Sequence, residues 1–172
     1  MLKYVRAATI ADLPAMLAII EQARTVLAND QIPQWQDGYP VAADIQADIT
    51  AKRAWLLVVD GQIAGTAALL TTPDPNYRDM QAGQWLAATT PYTSIHRIAI
   101  AGAYHGQHLA DFYFSNLITL SHQLGFRQLR VDTHALNQRM QHVILKAGFT
   151  YQGVVVMDGD VTDQRNAYQL NL

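Results

Sequence analysis

The sequence of 172 residues contains no cysteine. That removes a thiolate nucleophile, Cys-ligated zinc, the usual iron–sulfur clusters and any disulfide framework, so chemistry falls to other side chains or to the backbone. Charge is sparse as well: charged residues make up 15%, and twelve Lys plus Arg against fourteen Asp plus Glu leave a net charge of -2. Such a surface exerts no global pull on a polyanion, so no nucleic-acid partner is expected. Uncharged apolar runs fall short of the ~18 residues of a membrane span. The opening MLKYVRAATIADL has no unbroken apolar stretch behind Lys3 and Arg6 of the kind a secretory signal carries. No membrane partner and a cytoplasmic location are the expectations.

What remains is a 50% hydrophobic chain of 19.1 kDa, long enough to bury a core without staples, and read as one domain over residues 1–172. Lys3–Ala7 predicts a first strand. Leu13, Met16, Leu17, Ile20 and Ala23 recur at helical spacing, and Pro33, Gly38 and Pro40 break the chain before a second helix with Val41, Ile45 and Ile49. Trp55–Val59, Asp60-Gly61 and Gln62–Leu70 read as a hairpin with a type I′ turn. Thr71–Tyr92 is a long polar stretch carrying Tyr77, Trp85 and Tyr92, and long loops inside compact domains are usually functional or mobile.

Ser94–Ile100, a helix from Gln107 to Leu124 and a strand at Gln128–Thr133 form a parallel βαβ unit. Asn137 caps a fourth helix with Met140, Val143, Ile144 and Ala147 inward, and Gly148 ends it. Strands at Phe149–Met157 and Asn166–Asn171 flank the turn-prone MDGDVTDQ. The fold class is α/β (α+β), with a mixed, mostly antiparallel sheet, a central parallel βαβ unit and about four helices.

The junction IAIAGAYHGQHLADF takes a strand through Gly102 and Gly106 into a helix. Its free amides at the positive end of a helix dipole make an anion site, although ordinary turns use glycine too. His105-x-x-His108 has metal-like spacing, but no third ligand lies nearby, so no metal is expected.

The element order from end to end resembles the GCN5-related N-acetyltransferase (GNAT) family. Tyr104-His105-Gly106-Gln107-His108-Leu109-Ala110 is similar to its Arg/Gln-x-x-Gly-x-Gly/Ala pyrophosphate loop, and Asn137 with Lys146-Ala147-Gly148-Phe149 to its Asn-x(10)-Gly-Phe signature. His105 replaces Arg or Gln, His108 replaces the second glycine, and Ile144 stands where many members place a tyrosine that protonates the departing thiolate. The resemblance implies direct acetyl transfer from acetyl-CoA to a primary amine through a ternary complex. The acceptor is a small molecule or peptide, and a homodimer is plausible.

The same resemblance puts the pantetheine arm and the thioester along Ile98, Ala99 and Ile100. It puts the pyrophosphate on the loop from His105 and Gly106 through Gln107, His108 and Leu109 to Ala110, with Asn137 beside the thioester. His96 and His134 are the candidate proton-transfer residues; the alternative is structural, with His96 on the opposite sheet face bonding a neighbour and His134 ending a turn. Trp35, Tyr77 and Trp85 are either walls of an acceptor pocket or satellite core residues, and Asp74 either attracts the amine or serves its turn. A CoA-binding module without turnover is the competing reading, and a doubly wound nucleotide-binding fold is weakened because the glycine turn comes late in the chain.

Overall fold

The computed structural model describes all residues from Met1 to Leu172. Eight strands form a single sheet: β1 Lys3–Ala7, β2 Ala54–Val59, β3 Gln62–Leu70, β4 Ala82–Gly83, β5 Thr93–Ile100, β6 Gln128–Thr133, β7 Thr150–Met157 and β8 Asp160–Asn171. Four helices accompany them: α1 Leu13–Asn29, α2 Ala42–Thr50, α3 Leu109–Gln123 and α4 Gln138–Lys146. The sheet order is β1-β2-β3-β5-β6-β8-β7-β4, with β5 and β6 the parallel pair and every other neighbour antiparallel.

The unbroken apolar run of β2 reflects burial on both faces, as expected where helices cover a sheet on two sides. Leu56 and Val58 pack with Met16 and Ile20 of α1 and Ile45 and Ile49 of α2, whereas Leu57 and Val59 face Tyr113 and Leu117 of α3 and Ile144 of α4. Asp60 and Gly61 at φ 46 and 82 make the left-handed turn that the hairpin requires. Thr9 and Asp12 start α1: the Asp12 carboxylate accepts the Thr9 N–H at 2.8 Å and both nitrogens of the Arg6 fork at 2.8 Å.

Two segments differ from expectation. Most of MDGDVTDQ is strand, because the turn is confined to Asp158-Gly159, at φ 49 and 76, and β8 begins at Asp160. The stretch 71–92 also contains β4, which pairs with β7 through Ala82↔Val154 and Gly83↔Gly153. That stretch covers the β7–β8 part of the sheet in place of a helix, with Tyr77, Trp85 and Tyr92 packed on Val155 and Ala167.

The parallel pair positions the site. β5 meets β6 only at Thr93↔Leu129 and Ser94↔Arg130, so the edge of β5 beyond Ser94 is left without a strand neighbour on that side. The sheet splays into a cleft there.

Candidate active site

A cavity of about 860 Å³ fills the splay, between β5 and the start of α3 on one side and β6, α4 and the β7–β8 hairpin on the other. Its floor is a bulged strand. On β3, Thr66 opposes Ala99 and Ala68 opposes His96, so Arg97 and Ile98 together face Ala67. Leu69 N–H donates back to Arg53 and Ala101 N–H donates to Ala64. By the two-residue period of a strand, Thr66 and Ala68 therefore turn their backbone groups toward β5, and Ala67 turns its own away. Arg97 and Ile98 are left without ladder partners in β3. Arg97 sits at φ 50, a left-handed conformation costing a non-glycine residue about 1–2 kcal/mol.

The alternation also turns the Ile98 and Ile100 backbone toward the cleft. In agreement, the Ile100 carbonyl meets the His105 Nε2 at 3.0 Å. At the end of the strand, the backbone N–H groups of Gly106, Gln107, His108, Leu109 and Ala110 donate to no protein acceptor. His108, at φ 54, is the residue immediately before α3. Five free amides at the start of a 15-residue helix form an anion cradle. Of this loop, His105, Gly106, His108, Leu109 and Ala110 line the cavity and Gln107 does not; the Gln107 side chain reaches back to the Ala103 carbonyl at 3.3 Å.

His96 lines the cavity. Its Nε2 lies 3.0 Å from Asp74 Oδ2 and 3.1 Å from Ser94 Oγ, and its ring stacks on Tyr77 at 5.7 Å. A carboxylate accepts only, so Nε2 carries the proton, and Nδ1 keeps a lone pair that no protein donor occupies. Asp74 is fixed in turn by Asn76 N–H on Oδ1 at 2.8 Å and by its own N–H on the Tyr92 hydroxyl at 3.0 Å. Burial pushes the Asp74 carboxyl up, but the His96 bond and charge, with the Asn76 N–H and Arg97, outweigh it and hold the group below its ordinary value.

His134 lies elsewhere: it is not part of the cavity wall. Its Nδ1 accepts the Leu136 N–H at 3.1 Å, and burial together with Arg165 lowers its basicity. That ring serves the turn. Asn137 lines the cavity and caps α4, its Oδ1 accepting the Met140 N–H at 3.1 Å. Ile144, at the position where many GNAT enzymes carry tyrosine, is fully buried in the core and offers no proton.

The aromatic residues divide. Trp35 lines the cavity, whereas Tyr77 and Trp85 lie beneath the wall, 1% and 7% exposed, and are core residues rather than pocket walls. Trp85 Nε1–H donates to the Tyr77 carbonyl at 2.7 Å, and the buried Arg130 guanidinium lies over the rings of Trp85 and Tyr92 at 4.2 and 3.8 Å. Tyr77 still reaches the site through its hydroxyl, which donates to Asp132 Oδ2 at 2.6 Å. Asp74 lines the cavity, committed to His96.

Several contributors escaped sequence reasoning. The loop between α1 and α2 crosses the cleft: Gln34 Oε1 accepts from Thr133 Oγ1 at 3.3 Å and from His134 N–H at 3.2 Å on the far rim. Asp37, Asp132, Asp158, Asp163 and Arg165 line the cavity as well, and Arg165 pairs with Asp163. No group of three or more His, Cys, Asp or Glu is placed to hold a metal ion, and no helix is long and apolar enough to cross a membrane.

Comparison with known proteins agrees with this fold. Residues 20–149 match the model of the acetyltransferase (GNAT) family. The structure of a GNAT-family acetyltransferase from Streptococcus agalactiae superposes with a TM-score of 0.91 at 34% identity, over 99% of this chain and 95% of that one. A GNAT-family acetyltransferase from Listeria monocytogenes gives 0.75 at 21% identity, over 99% and 95%. A Salmonella typhimurium acetyltransferase solved with acetyl-CoA gives 0.68 at 17% identity, over 99% and 94%; at such identity the likeness is one of fold. A comparison with the curated proteins finds no match.

Proposed function

The chain belongs to the acetyltransferase (GNAT) family, and from that premise we propose that it moves an acetyl group from acetyl-CoA directly to a primary amine of a small molecule or peptide, both substrates being bound together. The single observation that carries this reading is the continuous cavity joining the unpartnered amides of residues 106–110 to the open edge of β5 and then to His96. Pyrophosphate suits the amide cradle. The amides of pantetheine suit the Ile98 and Ile100 edge as an added strand, for which the His105 ring must leave the Ile100 carbonyl. A free amide of the bulge is then available to the thioester oxygen.

His96 Nδ1 accepts the proton that the attacking amine loses, and Asp74 stabilises the resulting imidazolium. The nitrogen–carbon bond forms, the tetrahedral centre collapses and the carbon–sulfur bond breaks. A thiol of ordinary pKa, about 8.5, departs as thiolate and takes its proton from water or the imidazolium, so Ile144 does not block the reaction. The cations that line the cavity are already paired, Arg97 with Asp48, Arg139 with Asp30, Lys146 with Asp111 and Arg165 with Asp163, and the remaining carboxylates of Asp37, Asp132 and Asp158 suit an acceptor that carries positive charge. With no cysteine in the chain, an acetyl-cysteine intermediate has no place.

Isothermal titration with acetyl-CoA and a thiol-release assay over a panel of amines test the proposal together. Binding with turnover of at least one cationic amine is expected, and no binding at millimolar acetyl-CoA by folded protein overturns it. Ile144 favours one competing reading, a CoA-binding module without turnover, which predicts binding and no thiol release from any amine.

A further inference from the structure

The bulge in β5 is held from outside its own strand. Arg97 Nε and Nη2 form a fork on the two oxygens of Asp48 in α2, at 2.6 and 2.8 Å, and Nη1 donates to the Tyr39 hydroxyl at 2.5 Å. Asp48 is 2% exposed and also accepts Arg53 Nε at 2.7 Å. The carboxylate that grips Arg97 is thus itself immobilised. A planar guanidinium held at two points has one orientation, which a flexible ammonium would not.

The strand's own side chains show what the bulge accomplishes. Ile95, Ile98 and Ile100 all pack on the α3 face of the sheet, while Ala99 and Ala101 face α1 and α2. An even two-residue alternation would put Ile95 and Ile98 on opposite faces. The extra residue at the bulge restores the isoleucines to one face and sets which amides look into the cleft. Were Arg97 to relax to an extended conformation, the phase on one side of it would slip by one and those amides would turn away.

We propose that Asp48, Arg97 and Tyr39 are positioning residues: their network clamps the bulge of β5 and so aims the Ile98 N–H at the substrate thioester. The inference rests on the acetyl-transfer reading above. Tyr39 lies in the loop that crosses the cleft, so the same network ties the acceptor side of the cavity to the strand that takes the thioester.

Glycine adopts φ 50 at no steric cost, which separates holding the backbone from any other use of the guanidinium. Arg97→Ala is expected to lower kcat about tenfold or more, while the acetyl-CoA Kd by titration stays within about threefold because the α3 amides are untouched. Arg97→Gly is expected to recover most of the lost rate, and so is Asp48→Asn combined with Arg97→Gly, whereas Asp48→Asn alone is as impaired as Arg97→Ala. Equal loss in Arg97→Ala and Arg97→Gly overturns the proposal, as does a wild-type kcat in Arg97→Ala. Should Asp48→Asn fail to fold, the comparison of Ala with Gly at 97 decides by itself. A second readout needs no turnover: the 15N–1H resonances of Ile98 and Ile100 are expected to move in Arg97→Ala and return in Arg97→Gly, and unmoved resonances overturn the clamp. Absence of turnover by the wild-type protein on every amine would refute the acetyl-transfer reading, while the resonances still report on the clamp.

Discussion

Replacing Asp74 by asparagine separates a positioned base from a histidine that merely packs in a sheet. The Asn76 N–H fixes Oδ1, so the introduced amide would face His96 with its NH2 in place of Oδ2. That NH2 donates, Nε2 must accept, and the ring proton moves to Nδ1. The lone pair needed by the amine is then gone. The loss approaches the whole contribution of a general base, about 10²- to 10⁴-fold in kcat, and matches that of His96→Gln. Alanine at the same position removes only the charge-assisted bond, worth about 1.5–3 kcal/mol, or about 10- to 150-fold, because water can take the place of the carboxylate and leave the tautomer unforced. Thiol release under saturating substrates reads both, with acetyl-CoA affinity unchanged as the control. Asp74→Asn as active as Asp74→Ala, or either at the wild-type rate, would refute the assignment. Because Asp74 titrates below its ordinary value in the folded protein, its contribution is present at neutral pH and is lost only as pH falls below about 3.9 and through the depressed folded value.

Two further substitutions test the surroundings. A Cβ on Gly153, at φ 151, would lie 2.0 Å from the Ala82 carbonyl oxygen, so Gly153→Ala detaches β4 and with it the bonds Gln81 N–H to Val154 at 2.8 Å and Gln84 N–H to Gln152 at 3.3 Å. Two bonds at about 0.5–1.5 kcal/mol each give a Tm lower by about 2–12 °C for a domain of this size; Gly83→Ala removes the same pairing, so the double variant falls short of additivity, and an unchanged Tm by calorimetry contradicts the pairing. His108→Gly relieves a left-handed side chain at φ 54 and is expected to stabilise by about 0.5–1 kcal/mol, with acetyl-CoA binding equal or tighter; weaker binding by titration would mean that the imidazole, not the backbone cradle, holds the phosphates.

Legibility in the sequence follows how local the cause is. The β2–β3 hairpin was readable because its turn chemistry and its apolar run sit within sixteen residues. The start of α3 was readable through its glycine turn, except that the helix begins at Leu109 and not Gln107. The first half of β8 was not, because residues 160–164 lie at the exposed end of the hairpin, where only Asp160 and Gln164 have partners in β7, and so carry no buried face to impose alternation. Tyr77 and Trp85 illustrate a third case. Whether an aromatic residue in a long loop walls a pocket or fills a core depends here on β4 docking against β7, some seventy residues further along the chain. No local pattern encodes that distance.

The site itself left marks in the sequence that take physical form only beside the fold. In α2 the buried stripe reads Ile45, Asp48, Ile49: a carboxylate at an apolar position of a helix demands a cationic partner from whatever packs there. In β5 the string SIHRIAI places isoleucine at 95, 98 and 100, which breaks the period of two between the first and the second. Each irregularity is an unsatisfied condition when taken alone. Together they satisfy one another, because the phase break leaves an arginine at its turning point and the buried aspartate receives that arginine's guanidinium. A strand that must bury one face of isoleucines while presenting unpaired amides to a ligand needs such a break, and the break needs a clamp from a neighbouring element. The clamp and the open edge of β5 are therefore two requirements of the same geometry, which is why the departures from regular patterning fall where the cleft opens.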